Sequence, residues 1–234
     1  MKENMISLAT IDTAVYYPVK IPSTGKKTKF RPFSVREERA FLTAHESDDL
    51  STMLHTLETI VRNCVKDCPK DLTTFDVEYL FIQLRAKSVG EVTEAVATCV
   101  HCGEKNPIQI KLADVKLIND GQNKNVKLGD RLSVTMRYPS ITEVAEMSTV
   151  TEGLEEKAVA ASIESVFFDD QVFHVKEGDT KDIIEFIYNR TEAEMAKLTA
   201  FVDNAPSVRL ESNYKCKKCG KDNRVVVERL VDFF

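Results

Sequence analysis

Residues 98–106 read TCVHCGEKN, a turn holding Cys99 and Cys102 followed at once by Gly103. The same spacing returns more than a hundred residues later in YKCKKCGKDN, residues 214–223, with Cys216, Cys219 and Gly220. One C-x-x-C turn supplies two thiolates, whereas structural zinc is bound by four ligands at the corners of a tetrahedron. Cys99, Cys102, Cys216 and Cys219 complete that set, so one structural Zn2+ per chain is expected. Each glycine stands just past the second cysteine, where the chain turns tightly and a positive φ is needed to aim both sulfurs at one point. Closing a loop of roughly a hundred residues costs about 4–5 kcal/mol of chain entropy. A structural zinc site contributes roughly 10–16 kcal/mol, enough to hold the two turns together. A thioredoxin-like redox pair is the competing reading, but it expects one C-x-x-C opening a helix in a βαβ unit, a setting neither turn has.

The sequence around both turns alternates like β-strands, EVTEAVATC and PIQIKL about the first, SVRLESNYK and NRVVVERLVDFF about the second. Upstream, AVYYPVKIP and TKFRPFSV flank STGKK and predict a hairpin, with Pro18 and Pro32 at edge positions. Ser34 with Glu37 predicts a capping box, and helical spacing through VREERAFLTAHE, LSTMLHTLETIVRNCV and FDVEYLFIQLRAKS predicts a three-helix unit over 34–88. NVKLGDRLSVTMRYP adds one or two strands. Ser140 with Glu143 predicts a second box opening helical pattern over about 140–168, followed by a strand and turn in QVFHVKEGDT. Two further helices are expected to end before Pro206, the second capped by Thr191 and Glu194.

The expected fold class is thus α+β. It comprises an N-terminal hairpin and helical unit over 1–90, a central β region with the first knuckle over 91–138, an inserted helical segment over 139–205, and a C-terminal β hairpin with the second knuckle over 206–234. Together the two β regions would form a split zinc-ribbon-like unit.

Composition narrows the function. A formal charge of −5 over 234 residues gives no general attraction to nucleic acid or anionic lipid, and no run of about 18 apolar residues is present to span a membrane. MKENMISLATIDTAVYY lacks the apolar run of a signal peptide, so folding in the cytosol is expected, where paired cysteines point to metal more than to disulfides. Cys64 and Cys68 read as small buried hydrophobes. His45, His55 and His174 have no partner at ligand or nucleophile spacing, and His101 between two better ligands reads as exposed. STGKKT fails the phosphate-loop pattern, which needs glycine where Lys20 stands and Ser or Thr where Lys27 stands. Asp169 and Asp170 read as a solvated turn. No small-molecule substrate and no enzymatic activity are expected. Two classes remain. The basic tip KCKKCGKDNR suits a nucleic-acid-binding zinc ribbon, but Tyr214 is its lone aromatic, where stacking on bases favours several; the competing class is a protein-assembly factor.

The runs IPSTGKKTKFRPFSVREERAFLTAHES and TFDVEYLFIQLRAKSVGEV, then the C-x-x-C pair, MRYPS, and the terminal C-x-x-C-G before DFF resemble the baseplate hub and hub-assembly family of T-even-type contractile-tailed bacteriophages. The resemblance implies a non-enzymatic tail protein whose partners are other phage baseplate hub and tail proteins. It would be found in the virion tail baseplate or in host cytoplasm during assembly. Lys20, Lys26, Lys27, Lys29 and Arg31 concentrate positive charge on the first hairpin, making it the expected partner-binding surface.

Overall fold

The computed structural model describes residues 14–47, 49–149, 152–176 and 179–227. The readings on MKENMISLATIDT and on the terminal ERLVDFF therefore lie outside the described residues. The molecule is α+β, as expected.

Strands β1 (Tyr17–Lys20) and β2 (Lys27–Phe30) form the expected hairpin, Tyr17 opposite Phe30 and Lys20 opposite Lys27. Its turn closes where the Ile21 N–H donates to the Lys26 carbonyl at 2.9 Å, and Gly25 takes a left-handed φ of 68°. The outer edge of β2 is not open to a partner. The Lys66 N–H donates to the Lys29 carbonyl and the Arg31 N–H to the Cys64 carbonyl, at 2.9 and 3.0 Å.

Helices α1 (Val35–His45), α2 (Leu50–Cys64) and α3 (Thr74–Ser88) follow. Ser34 and Glu37 make the capping box that opens α1. Arg31, at the end of the hairpin, clamps the same carboxylate with two N–H bonds of 2.9 and 2.8 Å. The arrangement recurs later in the chain: Ser140 and Glu143 box the start of α4 (Ile141–Met147), and Arg137 donates to Glu143. An Arg-x-x-Ser-x-x-Glu stretch thus turns a strand into a helix twice, because each carboxylate satisfies orphan helix N–H groups while the guanidinium balances its charge. A third box, Thr73 with Asp76, starts α3. Asp76 is fully buried and also accepts from the Ser23 N–H at 2.8 Å, which pins the hairpin turn to the helix.

Beyond α3 come β3 (Val92–Thr98), β4 (Lys105–Lys111), a single 3-10 turn at Leu112–Asp114, and β5 (Lys116–Ile118). β3 and β4 are an antiparallel hairpin about the first cysteine turn, and β4 alternates strictly, with Asn106, Ile108 and Ile110 buried. The C-terminal hairpin is β10 (Ser207–Lys215) with β11 (Asp222–Val227). β10 also pairs with β5, Val208 opposite Leu117. These elements share one core with the helices, among them Phe81, Leu84, Leu112, Val208 and Leu210.

A second core gathers β6 (Asn125–Lys127), β7 (Leu132–Met136), α5 (Leu154–Ala161), β8 (Ile163–Phe168), α6 (Thr180–Tyr188) and α7 (Glu192–Asp203), with β9 (Gln171–His174) as an exposed edge strand beside β8. The strands run β6-β7-β8-β9 in one antiparallel sheet. The segment expected to be an inserted helical one is therefore mixed: helical pattern does not continue to 168, because IESVFF pairs with β7, Val134 opposite Val166. Ser162 ends α5, its hydroxyl donating to the Ala158 carbonyl at 2.8 Å. Tyr138, packed against the second core, lies edge-on to Phe75 of α3 at 5.4 Å and stacked on Phe201 at 5.1 Å.

Candidate metal centre

The two hairpins bring Cys99, Cys102, Cys216 and Cys219 together, all four sulfurs within 4.8 Å of one another. Two close approaches cross between turns: Cys99 to Cys219 and Cys102 to Cys216, each 3.7 Å. A disulfide needs about 2.05 Å. Four sulfurs at zinc-ligand distance, about 2.3 Å from a common centre, stand roughly 3.8 Å apart along a tetrahedron's edges, so the observed spacing fits a metal ion and not a bond between thiols.

Each turn is built the same way. In the first, the Cys99 N–H donates to the Glu104 carbonyl and the Gly103 N–H to the Cys99 carbonyl, both at 2.9 Å. In the second, the Cys216 N–H donates to the Lys221 carbonyl at 2.9 Å and the Gly220 N–H to the Cys216 carbonyl at 3.0 Å. Gly103 and Gly220 have φ of 72° and 68°, and nothing lies within 4 Å of where a Cβ would stand. The glycines are required by backbone conformation alone.

The sulfurs differ in environment. Cys99 and Cys216 are buried, Cys102 and Cys219 exposed. The Cys216 thiol is drawn down to about 6, chiefly by the Cys219 N–H and then, against burial, by the Lys218 N–H and the Asn106 carboxamide. Burial opposes ionisation of Cys99, but the His101 and Cys102 N–H groups hold it below the ordinary thiol value. The Glu104 N–H favours the Cys102 thiolate, yet burial and the crowding of the other three sulfurs push that thiol up to about 12. Four thiolates this close would repel one another, and a divalent cation among them would let all ionise.

Lysines flank the cluster, though two are engaged: Lys217 and Lys218 approach Glu104 at 3.8 and 3.4 Å. His101 turns outward, its Nε2 lying 3.3 Å from the Asp222 carbonyl. Cys64 is buried at the end of α2, its thiol pushed up to about 12 by burial, and Cys68 is half-buried beyond the helix. Neither joins the cluster.

Sequence reading stopped at the glycines and missed the residue four places past each second cysteine. Both turns read C-x-x-C-G-x-x-N, and the asparagines, Asn106 and Asn223, are 3% and 7% exposed. The second copy of an eight-residue pattern was the available signal.

The family model described as T4 bacteriophage base plate protein matches residues 14–234. The chain belongs to that family. The chain is 26% identical over 220 residues to the baseplate hub assembly protein gp26 of Enterobacteria phage T4, covering 93% of this chain and 97% of that protein. No solved structure matches.

On the first hairpin of this baseplate-family chain, Lys20, Lys26, Lys27 and Lys29 are exposed while Arg31 is half-buried. Arg31 is spent on Glu37, and the Lys26 ammonium donates to the Asp67 carbonyl at 2.8 Å. Lys20 and Lys27 stand opposite each other on the outer face. Among the described residues no helix is long and apolar enough to cross a membrane.

Proposed function

We propose that this chain assembles the tail baseplate hub of a phage through contacts with other hub proteins, and that a zinc ion held by Cys99, Cys102, Cys216 and Cys219 closes its two β hairpins into a split zinc ribbon. The match to a hub assembly protein over nearly the full length of both chains carries the assembly reading. The crosswise 3.7 Å sulfur spacing supports the metal reading.

Zinc with four cysteine ligands has no open position for substrate, so its contribution is to folding and not to chemistry. Asp169 sits in a tight turn with φ of 51° and pairs with Arg131, which favours the solvated-turn reading over a catalytic one. The chain is therefore read as non-enzymatic. Glu104 beside Lys217 and Lys218 reduces the free positive charge at the knuckle tip, which weighs against nucleic acid as the ligand.

The exposed lysines of the first hairpin are the proposed docking face, with β1 as its edge. Proteomic mass spectrometry of purified virions and of tail-assembly intermediates tests the assembly reading. The chain should appear with hub components in intermediates forming in the host cytoplasm, and whether it also appears in virions tells a retained subunit from a departing factor. Absence from both overturns the reading.

A further inference from the structure

The asparagines of the two turns reach across to each other's backbone. Asn106 Oδ1 accepts from the Lys217 N–H at 2.8 Å, and its Nδ2 donates to the Glu104 carbonyl of its own turn at 2.8 Å. Asn223 repeats this in mirror role: Oδ1 accepts from the Val100 N–H at 3.1 Å, and Nδ2 donates to the Lys221 carbonyl at 2.9 Å. Val100 and Lys217 each follow the first cysteine of their turn. Every asparagine therefore ties its own turn to the peptide immediately after a buried sulfur of the opposite one. The relationship is reciprocal, as an approximate twofold axis through the sulfur cluster requires. One feature breaks the symmetry: Asn106 Nδ2 also lies 3.6 Å from the Cys216 sulfur. Among the described residues Asn223 makes no such bond.

From this geometry we infer that Asn106 and Asn223 are positioning residues for the metal, a pair of carboxamide clasps that set the two knuckles at ligand spacing before the ion enters. The inference rests on the metal reading above. Both side chains are buried with donor and acceptor satisfied, so removing either leaves a backbone N–H of the facing knuckle without its partner and truncates a buried, fully bonded carboxamide. Groups that orient metal ligands typically change affinity by about 10–100-fold when lost. Asn106 has a further role, because its N–H faces a thiolate and stabilises the charge on sulfur.

The test uses the full chain, wild type and the variants Asn106→Ala and Asn223→Ala. Zinc affinity is measured by chelator competition, and Co2+ is substituted to read the sulfur-to-metal absorption bands. Each variant should bind zinc about 10–100-fold more weakly. Asn106→Ala should in addition shift the cobalt bands, whereas Asn223→Ala should leave them in place, a difference that a general loss of packing would not produce. In metal-stripped wild type, the Val100 and Lys217 amide protons should remain protected from hydrogen exchange. Affinities within twofold of wild type, or exchange of those two amides at open-loop rates once metal is removed, overturn the inference. Wild type that takes up neither zinc nor cobalt overturns the metal reading as well, so the two failures are told apart by the first measurement.

Discussion

The sulfurs of Cys99 and Cys219 stand 3.7 Å apart across a sequence separation of 120 residues. Each is delivered by a rigid two-stranded hairpin, and the chain between the hairpins includes a separate hydrophobic core. The ends of that long excursion are closed by β10 against β5, by the asparagine clasps, and in the proposed form by zinc.

Replacing a ligand should therefore act differently from replacing a core cysteine. Cys216→Ser should release the metal and speed hydrogen exchange through β10 and β11. Cys64→Ala should leave zinc in place and lower global stability by about 1 kcal/mol, an ordinary core truncation. Exchange mass spectrometry with zinc quantification checks both; equal loosening of β10 and β11 in the two variants would count against the site.

The glycines offer a separate check on the turns. With φ of 72° and open space around its Cα, Gly103 should cost roughly 1–2 kcal/mol as Gly103→Ala through conformation alone. Gly103→Asn should cost less, since asparagine tolerates the left-handed region. Denaturant midpoints of the zinc-loaded protein read the difference, and equal costs for the two variants would point to packing instead.

Acid should weaken the strand-to-helix joints. Burial works to raise the Glu37 carboxyl, but the Arg31 guanidinium with the Ser34 N–H and hydroxyl outweigh it and hold it at about 2; Glu143 is held at about 2 in the same way by Arg137 and Ser140. A carboxylate whose folded value lies below its unfolded value of about 4.3 adds stability above that pH and loses it as pH falls toward the folded value. Stability should thus decline between about pH 4.3 and 2. Glu37→Gln should flatten that decline and cost about 1–2 kcal/mol at neutral pH. Glu143→Gln should cost less, because its side chain is 36% exposed against 11% for Glu37. Urea titrations across pH test the pair.

Much of this was legible in the chain itself. The cysteine spacing brought the four sulfurs together on paper, and the boxes at Ser34, Ser140 and Thr191 marked three helix starts that the structure has. β8 was not legible: after Ala161 the apolar spacing of SIESVFF suits a helix or a strand, and only its pairing with β7 decides between them. β5 spans three residues, too short for any period to register, and exists because β10 extends past β11 to meet it. The asparagine clasps depend on two turns facing each other, which no local pattern can express. Arg31 looked like a surface cation beside four lysines, but the carboxylate that claims it lies six residues ahead, in the first turn of α1.

Reversing charge at Lys20 and Lys27 tests the docking face. Both are exposed, so Lys20→Glu with Lys27→Glu should change stability by no more than about 0.5 kcal/mol each. Co-purification with hub components should fall sharply. Unchanged co-purification by a folded, zinc-loaded double variant would move the contact elsewhere.

Native mass spectrometry of the purified full chain, paired with elemental analysis and thiol titration, addresses the zinc-closed fold most directly. One zinc per chain is expected, with Cys99, Cys102, Cys216 and Cys219 shielded from thiol reagents until a chelator or denaturant is added. Metal-free protein whose four thiols react freely in the folded state would contradict it.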